Sequence, residues 1–279
     1  MLKIDERTFL LEGKNKGKFP YCNCLLLDSI LIDAGLGDVG AVKDRVEVVL
    51  LSHTHPDHVL DAWVFNEMGR KVLSPEGFET DIDTLANRLA DELAEYWKEF
   101  VKGVGLRGFK SEKYEEGLIF ENPEIIAYKL PGHTLDMHVF LIDGRIMYGA
   151  DIDLTRFGPW YGNPESDLEQ FRKSIEELRK MDFELYISSH LMKVFSREEF
   201  DDRIEEYLRV FDERDRLLLE LLEDGKSLED LVEISPFYRK KPYAKELLDF
   251  FERNMIRKHL DYLISRGLVR EEDGFYYRN

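Results

Sequence analysis

Apolar residues in the first half of the chain fall in short runs separated by polar turns. Thr8 to Leu11, Cys22 to Leu27 and Ile30 to Asp33 are brief apolar segments, and Val46 to Leu51 is an unbroken aliphatic and β-branched run. An unbroken run of that length predicts a strand buried on both faces. It ends at Ser52 and passes straight into His53-Thr54-His55-Pro56-Asp57-His58. The carboxyl end of a buried strand is where layered α/β proteins place their chemistry. A short helix is expected from Asp57 to Met68, then a strand from Lys71 to Leu73. A long helix is expected from about Thr80 to Val101, because Leu85, Leu89, Leu93, Tyr96, Trp97 and Phe100 recur at spacings that make one apolar face. Within an 80–110 helical insertion, that face reads either as core packing or as a lid over a substrate pocket.

Three further strands are expected at Ile125 to Leu130, Val139 to Ile142 and Arg145 to Tyr148, with Asp143-Gly144 as the turn between the last two. A helix from about Asp167 to Met181 leads to a strand at Glu184 to Ile187, which ends at Ser188-Ser189-His190. Strands followed by helices in this way predict sheets with helices packed outside them. A boundary is expected near residue 200, dividing 1–200 from 201–279. Beyond it come a charged helix from Glu198 to Leu222, a short helix from Ser227 to Val232, a long helix from about Tyr243 to Arg266, and two short strands around Asp273-Gly274. That order is the outline of a winged-helix module.

Composition narrows the function classes. The 279 residues carry a net charge of −18, which argues against a chain-wide surface for polyanions. Apolar residues make up 43% and aromatic residues 12%, as in globular proteins. Cys22 and Cys24 are too few for a disulfide framework, sit in a strand-like run read as core, and fit a reducing compartment. The first residues form no signal-peptide core and no apolar run approaches a membrane span, so a cytoplasmic location without membrane attachment is expected. Charged residues reach 34% and Gln170 is the lone glutamine, a bias associated with thermophile proteins.

Four metal-ligating side chains, His53, His55, Asp57 and His58, fall within six residues, and three of the seven histidines of the chain lie there. Imidazole and carboxylate suit zinc, iron and manganese alike. Three more candidates follow strand ends: His133 in Pro131-Gly132-His133-Thr134, Asp151 in Gly149-Ala150-Asp151, and His190.

The succession His-X-His-X-Asp-His, Gly-His-Thr, Gly-X-Asp and a late His resembles the metallo-β-lactamase-fold hydrolase superfamily over about residues 5 to 195. The resemblance implies a four-layer αββα sandwich with two divalent metal ions, zinc before iron or manganese, at one edge. It implies that His53, His55 and His133 hold one metal, that Asp57, His58 and His190 hold the second, and that Asp151 bridges them. Aspartate at 151 resembles the binuclear hydrolases rather than the antibiotic-destroying zinc enzymes. A water bridging two such ions has its pKa lowered to about 7, and Asp57 is placed to orient it and pass its proton on. Two departures stand out. His138 in Leu135-Asp136-Met137-His138 is one position away from where a catalytic or substrate-contacting histidine is expected. Ser188-Ser189 replaces the usual Pro-Gly before the last ligand.

The first domain resembles glyoxalase II-like thioesterases. The two-part layout resembles lactamase-β-2 proteins, among them an endoribonuclease that cuts single-stranded RNA. From Arg239 to Arg270 nine Lys or Arg stand against four Asp or Glu, and Arg253, Arg257 and Lys258 fall near one helix face. Three readings follow: hydrolysis of a small ester, thioester or lactone; metal-dependent cleavage of single-stranded RNA; and a winged-helix nucleic-acid-binding regulator with an inert first domain. A homodimer is compatible with each, and the tail is open to nucleic-acid binding, dimerisation or a place in the pocket wall.

Overall fold

The structure is a computed structural model that describes residues 1–88, 93–241 and 244–279. A seven-stranded sheet runs in chain order through β1 (Leu2–Lys3), β2 (Thr8–Leu11), β3 (Cys24–Leu27), β4 (Ile30–Ile32), β5 (Val48–Leu50), β6 (Lys71–Pro75) and β7 (Glu112–Tyr114). Its first four strands pair antiparallel and β4 to β7 pair parallel. The second sheet has six strands: β8 (Gly117–Glu121), β9 (Glu124–Lys129), β10 (His138–Ile142), β11 (Ile146–Tyr148), β12 (Leu185–Ile187) and β13 (Val194–Ser196). The one parallel pair in it, β11 with β12, spans α6 (Leu168–Lys180) as its crossover. Among the described residues of the first half lie five shorter helices: α1 (Lys14–Gly17), α2 (Pro56–Val59), α3 (Ala62–Glu67), α4 (Ile82–Ala86) and α5 (Ala94–Gly103).

The two-residue period of the strands builds four layers. Leu25, Leu27, Ile30, Ile32 and Leu50 face Ile125, Ala127, Phe140, Ile142 and Tyr148 across the space between the sheets. The alternate residues Leu26, Leu31, Val49 and Val72 pack outward against Ala62 and Phe65 of α3 and Trp97 and Val101 of α5. On the far face of the second sheet, Tyr186 meets Phe200 of α7 (Arg197–Leu221) at 4.6 Å between ring centres. Cys22 and Cys24 are fully buried in the outer core of the first sheet, their sulfurs 3.9 Å apart.

After α7 the chain forms β14 (Lys226–Ser227), α8 (Leu228–Ile234), α9 (Lys245–Ser265), β15 (Val269–Glu272) and β16 (Phe275–Arg278), with the strands ordered β14-β16-β15. Of the buried residues of this region, Phe211, Leu218, Leu231, Met255 and Leu260 belong to the same continuous core as the space between the sheets, while Leu247, Phe250 and Phe251 join the outer core of the first sheet.

Three element expectations change. The helix expected from Asp57 to Met68 is two helices, because the chain turns at Leu60 and Asp61, where Asp61 N–H donates to Ala34 O at 2.7 Å and Asp61 Oδ2 accepts from Gly37 N–H at 2.7 Å. The helix expected from Thr80 to Val101 begins later and is interrupted. Asp81 caps α4 by accepting from the backbone N–H of Asp83 and Thr84, α4 closes at Asn87, and Arg88 turns inward. Leu89 lies outside the described residues, as does Tyr243 at the expected start of the last helix, and Tyr96 faces solvent rather than the apolar side. The strands Glu112–Tyr114, Gly117–Glu121 and Val194–Ser196 had no clear apolar signature, since each is an edge strand or lies next to one and carries charged or half-exposed positions.

The shared core makes a prediction about stability. Phe211→Ala removes a fully buried ring stacked 5.4 Å from Tyr161 and costs about 3–5 kcal/mol. Calorimetry of the wild type should show one unfolding transition, and two resolved transitions would mean that the halves fold independently.

Candidate metal centre

The motif segment leaves the end of β5, and Pro56 occupies the first turn of α2, where a missing N–H costs nothing and the fixed φ favours helix entry. This turn aims His53, His55, Asp57 and His58 into one place. His133 arrives after β9, Asp151 after β11 and His190 after β12, so both sheets deliver side chains to the same edge. Ligand atoms of His53, His55, His133 and Asp151 lie within 4.8 Å of one another, as do those of Asp57, His58 and His190. His58 Nε2 is 2.9 Å from Asp151 Oδ1 and His133 Nε2 is 3.0 Å from Asp151 Oδ2, so Asp151 stands between the two groups. All seven residues proposed from the motifs as metal ligands are therefore brought together.

The protein holds the second ring nitrogen of every one of these histidines. His133 Nδ1 donates to Trp160 O at 2.9 Å and His190 Nδ1 donates to Gly17 O at 2.7 Å. His58 Nδ1 donates to Asp33 Oδ2 at 2.8 Å, and His53 Nδ1 donates to Ser52 Oγ at 3.0 Å. The amide nitrogen Nδ2 of Asn163 meets His55 Nε2. Each ring is thereby held by one nitrogen with the other facing inward, as polar partners hold the rings of metal-ligating histidines.

The inward nitrogens are poorly matched to one another. His53 Nε2 and His58 Nε2 are buried and find no hydrogen-bond partner among the described residues. His58 Nε2 approaches Asp151 off the hydrogen-bonding direction. His55 Nδ1 and His133 Nε2 face each other at 2.9 Å. The donor set therefore fits two divalent ions.

Charge is distributed unevenly across the site. Burial and the neighbouring histidines hold His53 and His55 well below the usual imidazole range, so both are neutral and ready to ligate. Burial opposes the cation on His190, but the carboxylates of Asp151 and Asp57 outweigh it and raise the group to about 9. His58 is pushed up in the same way: burial works against it, while Asp151, Asp33 and Asp57 prevail. Burial raises the Asp57 carboxyl. Burial also acts to raise Asp151, yet His58, His190 and His133 hold it well below the ordinary carboxylate range.

Several residues that organise the site escaped the sequence reading. Asp33, fully buried, accepts from Ser52 N–H (2.7 Å), Ser52 Oγ (2.9 Å), His58 Nδ1 and Tyr148 OH (2.7 Å). Three of those bonds fall on Oδ2, so this carboxylate, which also lies near Cys22, is committed to holding Ser52, His58 and Tyr148. Asp136 accepts from Thr54 N–H at 3.0 Å and Thr54 Oγ1 at 2.7 Å, and pairs bidentately with buried Arg88 at 3.0 and 3.1 Å. Arg88 also donates to Glu165 at 3.0 Å, so the 80–110 insertion is tied to the histidine loop. Ser189 Oγ donates to Asp151 Oδ1 at 2.6 Å and Ser188 Oγ to Asp153 O at 3.0 Å, so the two serines that replace Pro-Gly brace Asp151 and the chain that follows it. The one signal for Asp33 was its place at the end of a buried strand; Asp136 and Arg88 had none.

His138 is buried at the start of β10, with Nδ1 donating to Asp136 O at 2.8 Å and its ring 5.1 Å from Tyr114. The structure does not bring it into the ligand cluster, because strand pairing commits it to the Asp136 turn.

A four-layer αββα sandwich with histidines and aspartates gathered at one edge is the architecture of metal-dependent hydrolases of the metallo-β-lactamase type. The family model of the metallo-beta-lactamase superfamily matches residues 17–190, more than half of the chain, and the chain belongs to that superfamily. A metallo-beta-lactamase family protein from Thermus thermophilus superposes with a TM-score of 0.75 at 21% identity, covering 99% of this chain and 100% of that one. A beta-lactamase domain protein from Burkholderia ambifaria gives 0.72 at 14% identity, covering 100% and 93%. An archaeal superfamily protein from Sulfolobus tokodaii gives 0.52 at 16% identity, covering 74% and 86%. The first two share the fold of the helical C-terminal region as well as the sandwich. No match was found among curated protein sequences. Among the described residues, no helix is long and apolar enough to cross a membrane.

Proton release provides a test of the site. His190, raised from an ordinary value near 6.5 to about 9, carries a proton at neutral pH that a metal must displace. Affinity for zinc should therefore rise with pH up to about 9, by about tenfold per pH unit for each proton displaced. Without metal the sign reverses. The stability contributed by protonated His190 is complete below about 6.5 and is lost as pH rises through about 9. Calorimetry in buffers of different ionisation enthalpy counts the protons, and binding that is flat from pH 6 to 9 would contradict the assignment. Asp33→Ala should weaken binding by about 10–100-fold, read by competition with a chelator.

Proposed function

We propose that this chain is a binuclear metal-dependent hydrolase of a small ester, thioester or lactone, with zinc as the first candidate metal. The observation that carries the reading is the gathering of two donor groups at one edge, His53, His55, His133 and Asp151 in one and Asp57, His58 and His190 in the other, with His53 Nε2 and His58 Nε2 buried and without a hydrogen-bond partner among the described residues. His53, His55 and His133 would hold one ion, Asp57, His58 and His190 the other, and Asp151 both. When bound, two such ions supply Lewis acidity for a carbonyl oxygen and a water acidic enough to react near neutral pH. Asp57, its carboxyl raised by burial, is suited to take a proton from the attacking water and deliver it to the leaving oxygen or sulfur. His53 and His55, neutral throughout, hold their ion without exchanging protons.

Two features favour a small substrate over RNA. The chain is strongly acidic, and the basic residues of α9 are not arrayed toward solvent: Arg253 pairs with Glu229, Lys258 turns inward to Asn163 O at 2.7 Å, and Arg257 alone of the three is exposed. A helix that reads nucleic acid keeps its cations free for phosphates.

Protein loaded with zinc, manganese or iron should hydrolyse at least one member of a panel of short-chain esters, thioesters and lactones. Asp57→Ala should lower kcat by at least about 100-fold, the usual scale for a lost general acid–base. No turnover across the panel, together with metal-dependent cleavage of single-stranded RNA by the wild type, would transfer the assignment to a ribonuclease.

A further inference from the structure

Four consecutive residues, Trp160 to Asn163, connect the metal centre to the C-terminal region, and each is fixed by a different side chain from beyond residue 200. Trp160 Nε1 donates to Tyr238 OH at 2.7 Å. Tyr161 OH accepts from Arg214 at 2.8 Å and donates to His259 Nε2 at 2.6 Å, and His259 Nδ1 donates in turn to Asp215 at 2.5 Å. Gly162 O accepts from Asn254 Nδ2 at 2.8 Å, and Asn163 O accepts from Lys258 Nζ at 2.7 Å. Arg214 also donates to Pro159 O at 2.6 Å and Phe157 O at 2.7 Å, so the segment is held from its beginning.

The inner side of the same segment meets two histidines. Trp160 O accepts from His133 Nδ1, and the Asn163 amide meets His55 Nε2. The indole ring of Trp160 packs 5.5 Å from His133 and 6.0 Å from His55. Ligands of the second group depend on different supports: His58 on Asp33 and His190 on Gly17 O.

We infer that the C-terminal region is a positioning element for one metal of the pair, acting through Lys258, Asn254 and Tyr238 on the segment Trp160 to Asn163, and through it on His55 and His133. The inference rests on the binuclear reading. Lys258, Asn254 and Tyr238 touch no ligand; they set where the acceptors of two ligands stand. The bonds that orient a ligating histidine typically contribute 10–100-fold to metal affinity, and here those bonds are themselves anchored from a separate part of the chain.

Cobalt(II) titration of the full chain, followed by its visible absorption bands, tests this without reference to turnover. Wild-type protein should take up two equivalents. Lys258→Met keeps the aliphatic stem and removes the donor; it should weaken one equivalent by about 10–100-fold and alter its band, leaving the other as in the wild type. Tyr238→Phe and Asn254→Leu should act in the same direction, and Tyr238→Phe is the gentlest change should Lys258→Met fail to fold by circular dichroism. Arg257→Met, exposed on the same helix, should leave both equivalents unaltered. Two wild-type-like equivalents in folded Lys258→Met and Tyr238→Phe would overturn the inference alone. A wild type that takes up fewer than two would overturn the binuclear reading and the inference with it.

Discussion

Five imidazoles and two carboxylates crowded together with little access to water are unfavourable unless something settles their protons and lone pairs. Burial disfavours every charge in the group, and a buried ring nitrogen without a partner is costly. The fold meets this constraint from outside. A carbonyl, carboxylate, hydroxyl or amide takes up the outer nitrogen of each ring, so each ring has one defined use left for its inner nitrogen. What remains inside is a set of ring nitrogens gathered around Asp151 and Asp57, a donor set that suits cations.

The rest of the architecture follows from the need to bring these supports from distant parts of the chain. Asp33 lies at the end of β4, yet it holds the helix that carries His58, the serine beneath His53 and Tyr148 of the opposite sheet. One buried carboxylate thus links both sheets at the edge where the ligands gather. Losing it would leave four donors without their acceptor in a dry interior, which is costlier than the net value of the bonds themselves.

The histidines and aspartates gathered at the sheet edge were legible in the sequence because each sits in a short motif at the end of an apolar run, and the layered fold was legible because those runs are strand-length. The supports were not. Asp136, Arg88 and Asn163 act across tens of residues of chain, and nothing in their local neighbourhoods distinguishes them from surface polar residues. His138, a histidine close to a motif position, pairs with Lys129 in the sheet and is buried against the Asp136 turn, not on the surface. The interrupted helix after Thr80 was misread because apolar spacing records a face and is blind to a buried arginine that bends the chain inward.

The basic stretch of α9 illustrates the same limit and bears on what the tail is for. Its sequence shows an excess of cations, which suggests a surface for phosphates. In the fold, Glu252, Asn254 and His259 of this helix are buried, and each has a specific partner: Glu252 accepts from Ser235 Oγ and Phe237 N–H at 2.8 Å, Asn254 donates to Gly162 O, and His259 lies between Tyr161 and Asp215. Buried polar groups are tolerated only where every one is matched, and a matched set fixes a helix in one register against its neighbour. A helix free to enter a groove has no use for that register, but one that must hold the Trp160 to Asn163 segment in place depends on it.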